Sequence, residues 1–278
     1  MKLQTLIADN WKLDGGVAFG MVPKSIWSRN HKSDENNTIE ITTRCLLIIQ
    51  NERKILVDVG FGDKRDLKYY SVRYRQPEVS ILKSLAKIGF TPDDITDVLF
   101  THLHDDHIGA ATRFNENGLI ECVFKNAQYW VSESNWDWAL NPNKRETAAF
   151  FRDNLEPLQD SGRLNLLREG MQPFEHIILK IFNGHTRGQI IPFINIGNQT
   201  IVYTSDFIPT RFNIPIAYVP PADIEPLISM REKEEFLKTA LENKYILMFV
   251  HDAENECCTI KQSEKGIVAD RTFRLQDL

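Results

Sequence analysis

Residues 102–107 read HLHDDH and place three histidines and two aspartates within six positions. Imidazole and carboxylate groups are ligands that divalent transition metals favour in proteins. The segment follows an apolar run at residues 98–100, which is typical of a buried strand. Polar side chains just beyond a core strand are common at the ligand sites of open α/β sheets. The pattern therefore predicts a metal site at the end of this strand.

Strand parity indicates which of these side chains act together. In an extended chain, side chains two positions apart point to the same side. We expect one side to carry His102, His104 and Asp106. Asp105 points the other way and is left out of the set. His107 also has the wrong parity, so it can join only if the chain turns, which the nearby Gly109 makes feasible.

Three later segments end a strand-like pattern with a ligand-type residue. They are NGHTRG with His185, IVYTSD with Asp206 and ILMFVHD with His251. Because strand ends can meet at one edge of a sheet, we expect these side chains to join the first set. Five imidazoles and two carboxylates without a thiolate disfavour a Cys-rich structural zinc site. Zinc is the metal that we expect from these nitrogen and oxygen ligands, with Mn²⁺ or Fe²⁺ as alternatives.

The elements that must position these residues form runs of strands with helices between the runs. We predict strands over residues 44–50, 54–59, 97–100, 176–182, 190–196, 199–204 and 245–250. A helix is predicted over 78–88, and a capping-box pattern at Ser229 and Glu232 predicts the start of another. Two sheets flanked by helices are therefore expected, in an α/β (α+β) chain. Since no Gly- or Pro-rich linker is visible, we expect a single domain over residues 1–278.

Composition excludes several classes of partner. The 278 residues include 33 basic and 38 acidic side chains, with a net charge of −5 and no Lys/Arg cluster, which argues against nucleic-acid or anionic-membrane binding. The N-terminus lacks the apolar core of a secretory signal, and no apolar run approaches the ~20 residues of a membrane span. We therefore expect a cytoplasmic protein with a small-molecule substrate and with reduced, mostly buried cysteines. His31 and His176 are expected to face solvent. The oligomeric state is left open.

At the level of motifs, the chain resembles the metallo-β-lactamase superfamily. The resemblance is carried by HLHDDH (102–107), GH (184–185), SD (205–206) and VHD (250–252), and VDVGFG (57–62) resembles the first motif of that family. A closer resemblance, to the YtnP-like quorum-quenching lactonases, extends across nearly the whole chain. It is carried by LDGGVAFGMVPKSIWSR (13–29), DENN (34–37), SDFIPT (205–210) and FVHDAE (249–254). The related methyl-parathion-hydrolase-like and acyl-homoserine-lactone lactonase enzymes share the metal motifs only.

The resemblance implies a four-layer αβ/βα metallo-β-lactamase sandwich with a dinuclear metal centre. One metal would be held by His102, His104 and His185, and the other by Asp106, His107 and His251. Asp206 would bridge the two ions. Asp58 and Thr101 would orient the ligand imidazoles.

The implied function is metal-dependent hydrolysis of a small lactone or ester, with N-acyl homoserine lactones as candidate substrates. A hydroxide bridging the two ions would attack the carbonyl carbon. Asp106 would act catalytically by relaying a proton to the leaving alkoxide. One alternative is phosphotriester or phosphodiester hydrolysis of the methyl-parathion-hydrolase type. Another is a catalytically silent metal-binding member, which the complete ligand set disfavours.

Two positions depart from the lactonase pattern. Asp105 stands where that branch usually carries an apolar residue, commonly Phe. Pro209 stands where many lactonases carry a Tyr that contacts the substrate carbonyl, so carbonyl polarisation would fall to the metal or to another donor. Candidate walls of an apolar substrate pocket are Phe19, Met21, Trp27 and Phe61, with ordinary core packing as the alternative.

Overall fold

The computed structural model describes all 278 residues and contains two six-stranded sheets and one two-stranded sheet. The strands are β1 (Lys2–Asp14), β2 (Thr38–Gln50), β3 (Arg53–Val57), β4 (Asp97–Leu99), β5 (Thr112–Phe114), β6 (Ile120–Cys122), β7 (Gln128–Ser132), β8 (Leu164–Leu167), β9 (Ile177–Phe182), β10 (Gln189–Ile196), β11 (Gln199–Tyr203), β12 (Ile246–Met248), β13 (Cys257–Ser263) and β14 (Gly266–Phe273). The helices are α1 (Gly15–Phe19), α2 (Lys24–Trp27), α3 (Leu67–Ser71), α4 (Ile81–Lys87), α5 (Asp105–Ile108), α6 (Glu133–Leu140), α7 (Arg152–Asp160) and α8 (Pro226–Glu242). None of these helices has the length and apolar character that crossing a membrane requires.

The first of two compact units comprises Met1–Asn10 and Thr43–Glu169. Its sheet has the order β1-β2-β3-β4-β7-β8, in which β3, β4, β7 and β8 run parallel. Fully buried residues of the strands, such as Val98 and Tyr129, share one core with Leu85 of α4 and Leu158 of α7. Because the parallel strands end at the same edge, residues that follow β3 and β4 are brought side by side.

The second unit comprises Trp11–Thr42 and Gly170–Leu278. Its sheet has the order β14-β13-β12-β11-β10-β9, and only β11 and β12 pair in parallel. Phe236, Leu237 and Ala240 of α8 pack in one core with Val202 and Leu247. The register pairs Tyr203 of β11 with Met248 of β12, so that the residues three positions beyond each strand lie close together.

Most predicted elements are present, with shifted ends. Each predicted strand overlaps a strand of the structure, and the helix predicted over 78–88 is α4, which is capped by the Ser80 hydroxyl. The capping box predicted at Ser229 and Glu232 is wrong, because α8 begins at Pro226 and both residues lie inside the helix. A Ser-x-x-Glu spacing is equally compatible with one face of a helix interior, and here Pro at the first turn sets the start.

The expectations for the isolated histidines had different outcomes. His31 was expected to face solvent, which is wrong: it is only 8% exposed and its ring packs against Phe19 and Phe212. His176 is exposed, as expected. All four cysteines are free and buried, as expected.

Candidate metal centre

The HLHDDH segment turns earlier than strand parity assumes. His104 caps α5, which begins at Asp105, and the backbone N–H of His107 donates to the carbonyl of His104 at 2.9 Å. The helical turn, and not an extended strand, therefore places Asp106 and His107. The Asp105 carboxylate is buried and accepts a hydrogen bond from the Tyr69 hydroxyl at 2.9 Å.

Asp58 and Thr101 fix the orientation of His102 in the first unit. Asp58 follows β3 with φ of 57°, and its Oδ1 and Oδ2 accept hydrogen bonds from the N–H and the hydroxyl of Thr101, both at 2.8 Å. A threonine hydroxyl has one hydrogen, which is donated here to the carboxylate. The Thr101 oxygen therefore accepts from Nδ1 of His102, 3.1 Å away. His102 consequently carries its hydrogen on Nδ1 and presents the lone pair of Nε2.

Glu146 gives His104 the opposite tautomer. This carboxylate is 4% exposed, accepts from the Trp138 indole at 2.7 Å and from the Asn143 amide at 2.9 Å, and lies 3.2 Å from Nε2 of His104. Since an ionised carboxylate only accepts hydrogen bonds, Nε2 of His104 carries the hydrogen. The lone pair on Nδ1 of His104 then lies 3.0 Å from Nε2 of His102.

These two imidazole nitrogens fit a metal ion. Two lone pairs facing each other in a buried site repel unless a cation lies against both. In a tetrahedral zinc site, two nitrogen ligands at ~2.0–2.1 Å from the metal are separated by roughly 3.3 Å. The 3.0 Å between Nε2 of His102 and Nδ1 of His104 is close to this separation. The donor chemistry of this pair therefore suits a divalent transition metal.

His107 and Asp106 form a second donor pair in the first unit. Nδ1 of His107 donates to Oδ2 of Asp58 at 2.9 Å, which directs Nε2 to the other side of the ring. That Nε2 lies 3.6 Å from Oδ2 of Asp106. The rings of His102 and His107 are 4.0 Å apart between centroids, so both donor pairs belong to one cluster.

Asp206 is the centre of the donor group in the second unit. Its Oδ1 lies 3.1 Å from Nε2 of His251, and its Oδ2 lies 3.2 Å from Nε2 of His185. Nδ1 of His251 donates to the carbonyl of Thr42 at 2.7 Å, and Nδ1 of His185 donates to the Asp223 carboxylate at 3.0 Å. Each oxygen of Asp206 therefore faces a different imidazole through that ring's Nε2. A carboxylate in this arrangement can be shared by two cations.

The loop that carries His185 is held by α8. Glu232 accepts hydrogen bonds from the backbone N–H groups of Asn183 at 2.8 Å and Gly184 at 3.1 Å, and Ser229 donates to Asp223. A Cβ at position 184 would meet Ser229 atoms at 2.2–2.5 Å, so only glycine fits. Ser229 and Glu232 thus support the site instead of starting a helix.

Two carboxylates of the site, Glu146 and Asp223, are not indicated by any pattern in the sequence. Neither belongs to a recognisable motif, and both contact a histidine across 38 or more positions of chain. Pro209 has no side-chain donor, but its carbonyl accepts from the N–H of His251 at 3.0 Å and so helps to place that residue.

The four candidate pocket residues lie in different surroundings. Phe19 and Trp27 are each 2% exposed, and the centroids of their rings lie 5.1 Å apart. Phe61 is also buried, and the centroid of its ring lies 6.2 Å from that of Tyr69. Met21 is 99% exposed and contacts solvent.

Comparison with known proteins places this geometry in a family context. Residues 40–244 match the family model described as Metallo-beta-lactamase superfamily. The structure is similar to the crystal structure of a probable metal-dependent hydrolase from Staphylococcus aureus, at 29% identity, covering 100% of this chain and 98% of that chain, with a TM-score of 0.88. It also resembles AidC, a dizinc quorum-quenching lactonase, at 23% identity, covering 98% and 94% of the two chains, with a TM-score of 0.79. The expected fold class is thereby confirmed.

Curated relatives are 22–24% identical to this chain over the matched residues. An N-acyl homoserine lactonase from Bacillus thuringiensis is 23% identical over 225 residues, which cover 76% of this chain and 82% of the relative. The chain spans smaller shares of two other relatives. These are 55% of an N-acyl homoserine lactonase from Bacillus cereus and 27% of a cleavage and polyadenylation specificity factor subunit 3-II from Arabidopsis thaliana.

Proposed function

Because the chain belongs to the metallo-beta-lactamase superfamily of hydrolases, we propose that it uses two divalent metal ions to open a small lactone or ester. The observation that carries this proposal is the position of Asp206, whose two oxygens face two different histidine nitrogens. A carboxylate that ligates a single ion has no need of this arrangement. N-acyl homoserine lactones are the first substrates to test, because relatives carry that name.

In this proposal both units act as one metallo-β-lactamase-fold domain over residues 1–278. One ion is held by His102, His104 and His185, the other is held by Asp106, His107 and His251, and Asp206 is shared by both. Zinc is the proposed metal, with Mn²⁺ or Fe²⁺ as alternatives, since nitrogen and carboxylate oxygen ligands suit all three.

The residues of the chain divide the remaining work. When bound, two such ions make a water molecule nucleophilic at neutral pH and polarise the scissile carbonyl. Asp58, Thr101 and Glu146 hold ligand imidazoles in the required tautomers. The carboxylate of Asp106 would take a proton from the attacking water and pass it to the leaving alkoxide oxygen, which is otherwise a poor leaving group.

The proposal is tested with chelator-stripped protein that is reconstituted with Zn²⁺. N-hexanoyl homoserine lactone, γ-butyrolactone, a phosphotriester and a phosphodiester are each offered as substrate. We expect ring opening of at least one lactone, abolished by chelator and restored by Zn²⁺. Asp206→Asn should abolish it, whereas Asp160→Asn, an exposed aspartate at the end of α7, should leave it unchanged. Hydrolysis of phosphoesters without any lactone would replace this proposal by the phosphoester alternative, and no turnover of any substrate would contradict it.

A further inference from the structure

Asp105 is the residue of the HLHDDH segment for which neither the family motifs nor the proposed metal set provides a role. It is 3% exposed and lies between ligand residues His104 and Asp106. An ionised carboxylate is rarely this buried unless partners offset its lost hydration. The contacts of Asp105 identify those partners.

Three side chains, two from residues 65–69 and one from α7, converge on the Asp105 carboxylate. Oδ2 accepts a hydrogen bond from the Tyr69 hydroxyl at 2.9 Å, and Oδ1 accepts one from the Asn154 amide at 2.7 Å. Nε of Arg65 lies 3.5 Å from Oδ1. The backbone N–H of Asp105 itself donates to the carbonyl of Ala149 at 2.9 Å. The Asp105 side chain thus links α5 to α3, to Arg65 just before α3, and to α7.

The helical turn that contains Asp105 depends on contacts with the rest of the protein. α5 is four residues long, and a helix of one turn is not stable by itself, so tertiary contacts set its position. On one side His107 is held by Asp58 and by the N–H of Val59, which donates to the carbonyl of His107 at 2.8 Å. At the start of α5, the contacts of the Asp105 side chain with Tyr69, Asn154 and Arg65 hold the turn in place.

We propose that Asp105 is a positioning residue: through Tyr69, Asn154 and Arg65 it fixes the turn that presents Asp106 and His107, and so sets the affinity for the metal that they hold. This inference rests on the proposed function. It goes beyond the expectation from strand parity, which only leaves Asp105 out of the metal-binding set. A carboxylate suits the role because it accepts hydrogen bonds from Tyr69 and Asn154 and also attracts the Arg65 guanidinium, which no apolar side chain can do.

The test compares Asp105→Ala and Tyr69→Phe with the matched control Asp153→Asn. Asp153 lies on α7 and pairs with the same Arg65, but it makes no hydrogen bond to α5. Three quantities are measured for the full chain: Zn²⁺ affinity by competition with a chromophoric chelator, the visible spectrum of the Co²⁺-substituted protein, and the unfolding temperature of the metal-free protein.

We expect Asp105→Ala to weaken the binding of one Zn²⁺ per chain by about 10-fold or more, the size of effect typical of residues that support metal ligands. Tyr69→Phe, which removes a single hydroxyl, should weaken the same ion less and should have no further effect when Asp105 is already Ala. The Co²⁺ spectrum should change in both variants and stay unchanged in Asp153→Asn.

A purely structural role would give a different result. It would lower the unfolding temperature of the metal-free Asp105 and Tyr69 variants while Zn²⁺ affinity and the Co²⁺ spectrum stayed as in the wild type, and this outcome would overturn the inference. The proposed function fails separately, if the wild type binds two Zn²⁺ ions but opens no lactone. In that case the positioning role of Asp105 is judged on the affinities alone.

Discussion

Nε2 of His102 and Nδ1 of His104 lie 3.0 Å apart, and the hydrogen of each ring is donated away from the other ring. His102 therefore presents the lone pair of Nε2, and His104 presents the lone pair of Nδ1, to the same position. The difference has identifiable causes in the side chains behind them, Thr101 for the first and Glu146 for the second. The site therefore depends on these side chains as well as on the ligands that they orient.

Replacing Glu146 by Gln tests this directly. The amide keeps the size of the side chain but can place an N–H group against Nε2 of His104, which would favour the wrong tautomer. We expect Zn²⁺ affinity to fall by roughly 10–100-fold with little change in unfolding temperature, as measured by chelator competition. Glu133→Gln is the matched control, because Glu133 lies on α6 and forms a surface ion pair with Arg168, away from the histidines. Equal affinities of the two variants would show that Glu146 does not select the tautomer.

Gly184→Ala tests the support of His185. The new methyl group would overlap the Ser229 backbone and hydroxyl, so either the loop or α8 must move. We expect a loss of about 1–3 kcal/mol in the free energy of unfolding, as overpacking usually costs. Urea unfolding gives the stability and a Zn²⁺ titration gives the affinity. An alanine variant with wild-type values of both would mean that the loop tolerates displacement.

The positions of the ligand-type residues could be predicted from sequence because each follows a strand. His102 follows β4, and Asp206 and His251 lie three residues beyond the paired ends of β11 and β12. Short apolar strands are visible as local patterns, and polar residues beyond them stand out. Strand parity does not apply to Asp105, because α5 begins at this residue, and no local pattern indicated its buried partners.

The supporting residues could not be predicted in this way. Glu146 and Asp223 reach histidines far away in the chain, and such contacts depend on tertiary packing that no local pattern encodes. The Ser229–Glu232 spacing predicts a capping box, but both residues lie inside α8, because the same spacing also occurs within helices. His31 was assigned to solvent from its charged neighbours, whereas aromatic rings of other segments bury it.

Lys233 predicts a specific dependence of stability on pH. It is 1% exposed and donates to the carbonyls of Asn213, Pro215 and Tyr218 at 2.8–3.1 Å. Burial lowers the pKa of Lys233 from 10.5 to about 8. Between these values the folded chain has released the proton and the unfolded chain has not, so this residue's contribution to stability rises with pH and is lost as the pH falls through about 8.

The prediction is measured by urea unfolding of metal-free wild type and Lys233→Met at pH 8, 9 and 10. The free-energy difference, wild type minus variant, should increase with pH at up to ~1.4 kcal/mol per unit. Parallel pH profiles of the two proteins would show that the lysine pKa is not lowered.

Asp106 and a surface aspartate should differ sharply in their effect on catalysis. Asp106→Asn removes a charged metal ligand and the proposed proton donor, and we expect kcat on the lactone substrate to fall by ~10²–10⁴-fold. One Zn²⁺ per chain should be lost with it, while the unfolding temperature of the metal-free protein changes little. Asp160→Asn serves as the control. A variant that retained both metals and wild-type kcat would remove Asp106 from the mechanism.

The central claim is that two metal ions act together, and a stepwise Zn²⁺ titration of chelator-stripped protein tests it most directly. Lactone ring opening and bound zinc are measured on the same samples after each addition. The account predicts that activity appears as the second equivalent binds and reaches its plateau at two ions per chain. Full activity with a single bound ion, or activity that survives complete removal of metal, would contradict it.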